Sequence, residues 1–77
     1  MKSYEVQVIV EQDEDGIYIA SCPSLQGCYT QAKTFEDVMK RIKDVVAMCI
    51  EELKEERKEV NIAYPEVFAI KTLKVAV

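Results

Sequence analysis

Residues Cys22 to Thr34 read CPSLQGCYTQAKT and gather most of what could do chemistry in this chain: two thiols, three aliphatic hydroxyls, a phenol, a proline and a glycine. Cys22 and Cys28 are separated by five residues, and the third cysteine, Cys49, lies far along the chain. A zinc site takes four ligands, usually as two close pairs. A dithiol redox centre is normally C-x-x-C. The cysteine spacing fits neither, and there is no histidine to complete a ligand set. What remains for such thiols is the behaviour of small buried hydrophobes. An odd number of cysteines also does not make a disulfide framework.

Other candidate chemistry fails for physical reasons. Asp13, Glu14 and Asp15 crowd one exposed turn, where carboxylates stay solvated instead of entering a site that could use them as acid or base. The DEDG run is too short for a calcium loop, which needs a longer spaced set of oxygen ligands. Ser3, Ser21, Ser24, Thr30 and Thr34 have no histidine to activate them, and Ser24 lacks a G-x-S-x-G frame. Nothing near Lys33 or Lys40 implies the burial that would make either a base. Two glycines in the whole chain leave no phosphate-binding loop. An enzyme is not expected, and neither a cofactor nor a metal is called for.

Seventy-seven residues make one domain, 1–77. A core this small favours oligomerisation or very regular packing. Apolar residues form 49% of the chain, too many for intrinsic disorder, yet no run is long enough to span a membrane. MKSYEVQ lacks the apolar segment of a signal peptide, so a cytoplasmic protein is expected. The net charge of −4 argues against direct nucleic-acid binding and suits a basic protein partner.

The elements that position these residues follow from periodicity. In YEVQVIVEQ, Tyr4, Val6, Val8 and Val10 alternate with Glu5, Gln7, Ile9 and Glu11, the pattern of a half-buried strand. DEDG and then IYIASC complete a hairpin, with Gly16 at the left-handed position of a three-residue loop. That loop pairs Asp13 with Ile17, Val10 with Ala20 and Val8 with Cys22. Val6, Val8, Val10, Tyr18, Ala20 and Cys22 then share one face, and Ile9, Ile17 and Ile19 the other. Pro23 ends the ladder, Gly27 allows the bend, and Cys28 to Lys33 is a third strand.

Thr34 caps a long helix, with Glu36 and Asp37 in its first turn. Its apolar stripe is Val38, Ile42, Val45, Val46, Cys49 and Leu53. After a connector over residues 58–65, EVFAIKTLKVAV reads as a fourth strand, bulged near Ile70-Lys71. The expected fold is α+β, in the order β-β-β-α-β. It is a four-stranded mixed sheet with one helix on one face, the last strand joined by a right-handed crossover. The uncovered face, with Glu5, Ile9, Glu11, Ile17 and Ile19, is the candidate partner surface. Leu73, Val75 and Val77, on the edge of the fourth strand, are the candidate interface of a homodimer.

The order of these elements and the run D-G-I-Y-I-A-S-C-P-S-L-Q-G-C-Y-T-Q resemble the HicB family of antitoxins. The matching positions are Asp15, Gly16, Tyr18, Ala20, Pro23, Leu25, Gly27, Cys28, Thr30, Gln31, Thr34 and Glu36. Ser24, Gln26, Ala32, Lys33 and Val38 depart from the family pattern. The resemblance spans residues 4 to 53. It implies a partial ribonuclease-H-like fold without the metal-binding acidic cluster, and a protein that silences a small basic ribonuclease toxin, HicA. Many family members add a DNA-binding domain after this one. The fourth strand reaches the last residue here, so that activity is not expected. The alternative is a stand-alone oligomeric scaffold or small-ligand module of the same fold, with no toxin.

Overall fold

A tight acidic turn organises the first half of the molecule. The computed structural model describes residues 3–77. Strands β1 (Ile9–Gln12) and β2 (Tyr18–Ser21) flank the turn and pair antiparallel, with Val10 opposite Ala20 and Gln12 opposite Tyr18. The Asp13 carboxylate accepts from the backbone N–H of Asp15 and of Ile17, both at 2.9 Å. Gly16 lies at φ +83°, where a side chain would be strained. The turn is thus built by one of its own acids, and it sets the register expected from loop length.

Backbone hydrogen bonds from Cys22 to Cys28, Leu25 to Cys22 and Cys28 to Leu25 close the next loop. Gly27 takes φ +73° there. The loop folds Leu25 into the core and starts β3 (Tyr29–Ala32), which pairs antiparallel with β2. The sheet has the order β1-β2-β3.

Helix α1 (Phe35–Glu55) begins at Thr34, whose hydroxyl accepts from Asp37 N–H at 3.1 Å. Such a cap contributes about 1 kcal/mol. Arg41 Nη1 donates to the Gln31 carbonyl at 2.9 Å and ties the helix to β3. At the other end Lys58 N–H bonds Leu53 C=O and Arg57 N–H bonds Lys54 C=O, a Schellman closure. Arg57 holds the left-handed position of that motif at φ 57°, a place glycine takes more readily.

One face of the sheet and one ridge of the helix make the core: Ala20, Cys22, Leu25, Cys28 and Ala32 against Val38, Ile42, Val46 and Ile50. Tyr4, Val6, Val8, Val10 and Tyr18 pack at its margin, as the alternation of the first two strands requires. Ile50 lies outside the expected stripe and is buried, because the buried line follows an i, i+4 ridge along a twisted sheet. Val45, Cys49 and Leu53 flank that line, half-buried.

Beyond the helix, Val60 and Ile62 pack against the core, although they fall in a stretch read as a plain connector. Ser24 Oγ donates to the Pro65 carbonyl at 3.2 Å, and Val67 N–H donates to Gln7 Oε1 at 2.6 Å. The chain then departs from the body. Residues 66–77, expected as a fourth strand, form no ladder and no backbone–backbone hydrogen bond among the described residues. A strand exists only where a second backbone answers its amides and carbonyls, and among the described residues none does. The observed sheet is therefore three-stranded and antiparallel, with one helix on one face. The radius of gyration, 14.5 Å, exceeds the roughly 11–12 Å of a compact chain of this length because this arm projects.

Candidate protein-binding surface

The sheet face away from the helix is built by the outward half of each strand's alternation. Pairing places Glu11 opposite Ile19 and Ile19 opposite Gln31, in one row across all three strands. The adjoining row is Ile9, Ser21 and Tyr29. Neighbouring strands lie about 4.8 Å apart, so Ile9, Ile19 and Tyr29 fall within one small patch. Ile9, Ile17 and Ile19 are half-buried, while Glu5 and Glu11 are exposed.

The structure thus brings Ile9, Glu11 and Ile19 together as neighbours on paired strands. Ile17 lies just beyond Tyr18 at the turn end, and Glu5 on the extended segment that leads into β1. Sequence reasoning passed over Tyr29, an aromatic 69% exposed on this same face. Its signal was present: Cys28 and Thr30 alternate toward the helix, so the residue between them turns outward. Leu73 and Val75, at 78% and 72% exposure, and Val77 lie on the projecting arm, outside the three-stranded sheet.

The three thiols lie on the helix side of the sheet, Cys22 and Cys28 within the core and Cys49 at its margin. Cys28 is flanked by Cys22 and Cys49, and burial, then the two neighbouring thiols, push its pKa from 9.0 up to about 12. A protonated thiol is neither a nucleophile nor a good metal ligand. No group of three or more His, Cys, Asp or Glu among the described residues is placed to hold a metal ion. The raised value carries a stability consequence. Ionisation is easier in the unfolded chain, so the contribution is complete below about pH 9 and lost as pH climbs through 12. The unfolding midpoint in urea should fall across that window, less steeply in Cys28→Ala than in the parent. Equal slopes would assign the alkaline lability to other groups.

These features define a one-helix, three-stranded α+β domain with an acidic and apolar sheet face and a thiol-lined core. Compared with protein families, residues 6–73 match the HicB-like antitoxin of bacterial toxin–antitoxin systems, and the chain belongs to that family. Its relatives include the UPF0150 protein ssr1258 of Synechocystis, 43% identical over 53 residues that cover 69% of this chain and 77% of the relative. A UPF0150 protein of Archaeoglobus fulgidus is 43% identical over 44 residues, 57% of this chain and 64% of its own. The UPF0150 protein Ta0767 of Thermoplasma acidophilum is 40% identical over 53 residues, 69% and 77% of the two chains. No solved structure gives a significant match. No helix among the described residues is long and apolar enough to cross a membrane.

Proposed function

We propose that the chain binds a small basic HicA-like ribonuclease toxin and silences it by covering its surface, with no chemistry of its own. The observation that carries this reading is the outer sheet face. Ile9, Ile19 and Tyr29 form an apolar centre beside Glu11, on a chain of net charge −4. An apolar patch edged by acids is how a surface docks a basic protein: burial supplies affinity, and charge supplies rate and selectivity. Membership of an antitoxin family points the same way. The setting is the cytoplasm, where free cysteines stay reduced. The working form is a homodimer in which residues 66–77 provide the fourth strand that a single chain leaves unpaired.

The test is an RNA-cleavage assay with a purified HicA-like toxin encoded beside this chain. Adding the protein should abolish cleavage at a one-to-one ratio, and raising salt should restore it as the ionic attraction is screened. Cleavage that continues in the presence of a saturating excess would sink the antitoxin reading and favour a scaffold without a toxin.

A further inference from the structure

Two features of the molecule fit each other and are not joined within one chain. The first is a groove of about 480 Å³ along residues 4–8, the extended segment that leads into β1, with Tyr4, Val6 and Val8 on one side and helix residues from Met39 to Val46, Lys40 and Lys43 included, on the other. β1 is an outer strand of the sheet, so the groove lies where a further strand would extend the sheet beneath the helix. The second is the arm. Phe68 is 98% exposed, and Ile70, Leu73, Val75 and Val77 are all open to solvent. Folded proteins normally blunt such an apolar extended edge, because it pairs with whatever strand it meets.

We infer that the arm seats in the groove beside β1 of a second copy of this chain, and that the second copy returns its own arm to the first. Three observations select this occupant. The arm is long enough: residues 67–77 exceed the nine residues of Tyr4 to Gln12. Its alternation matches, since Leu73, Val75 and Val77 form one apolar row for the groove, with Lys71 at the start of that row and Lys74 on the other face. Lys40 and Lys43 line the groove itself, so the charge match is on the outward side of the edge, where Lys74 meets acids. Residues 67–77 carry Lys71 and Lys74 and no acid, whereas the remainder of the chain stands at −6. The outward residues of β1 and of the segment leading into it include Glu11 and Glu5, both exposed.

The arm's own chain does not fill the seat. Val67 reaches Gln7, beside the N-terminal approach to β1, and the next residue is already almost fully exposed. Two arms exchanged about a twofold axis would give each body its fourth strand and satisfy the open edge of each β1. The arm is an edge-filling segment for a copy of its own fold, and its pairing partner is β1 rather than the other arm. This inference rests on the homodimer reading and is independent of the toxin.

A charge-exchange experiment tests it. Variant one carries Lys74→Glu. Variant two carries Glu5→Lys and Glu11→Lys. All three positions are exposed, so circular dichroism should report an unchanged helix in both. Light scattering over a concentration series should show the parent as a dimer and each variant alone weakened by roughly tenfold or more, since each sets like charges face to face. Mixing the two variants should restore the dimer, because every arm then meets an edge of opposite sign. A second variant that dimerises as well as the parent would mean that arm pairs with arm, overturning the seat while leaving the homodimer. A parent that stays monomeric at every concentration would overturn both.

Discussion

Ile42→Ala should lower the free energy of unfolding by about 2–5 kcal/mol. Ile42 is 2% exposed and sits on the helix ridge that meets the sheet. Truncation removes buried methyl groups, and a small core has few neighbours able to collapse into the space. A domain of this length has roughly 4–11 kcal/mol of total stability, so the loss is a large share of it. The melting temperature should drop by about 10 °C or more. Met48→Ala is the control: Met48 is on the same helix but 66% exposed, and its truncation should stay within about 0.5 kcal/mol. Urea titrations followed by helix ellipticity measure both. Equal costs at the two positions would place the packing surface of the helix elsewhere.

Ile19→Lys should weaken binding of a HicA-like toxin by roughly 30-fold or more, the effect of losing about 2 kcal/mol at the centre of an interface. Ile19 occupies the middle strand, between Glu11 and Gln31, so any partner covering the outer face must cover it. A lysine there buries a charge against apolar groups and also repels a basic partner. Tyr29→Ala, on the adjoining row, should cost a comparable amount by removing a large exposed ring. The fold should survive, because both side chains face away from the helix and core. Glu14→Ala, at the tip of the hairpin, should change affinity little. Titration calorimetry on folded variants gives the comparison. Full affinity in Ile19→Lys, with loss in Phe68→Asp, would move the toxin from the sheet face to the arm.

What the sequence determined by itself was everything governed by short-range geometry. The DEDG turn was legible because one loop length, one glycine and one nearby carboxylate decide a hairpin register without help from the rest of the chain. The helix start was legible for a similar reason: Thr34 meets Asp37 N–H three residues on, and two acids favour the first turn. The two sheet faces followed from that register, and with them Ile9, Glu11 and Ile19 as neighbours. Burial at Leu25, Ile50, Val60 and Ile62 was not legible, because each depends on how a loop or ridge meets a sheet distant in sequence. The place of residues 66–77 was the least legible of all. Alternating apolar residues announce a segment able to form a strand, but hydrogen bonding to a partner makes the strand, and that partner is a tertiary fact. Only the three-dimensional structure showed that this segment leaves its own β1 edge open and carries its apolar row into solvent.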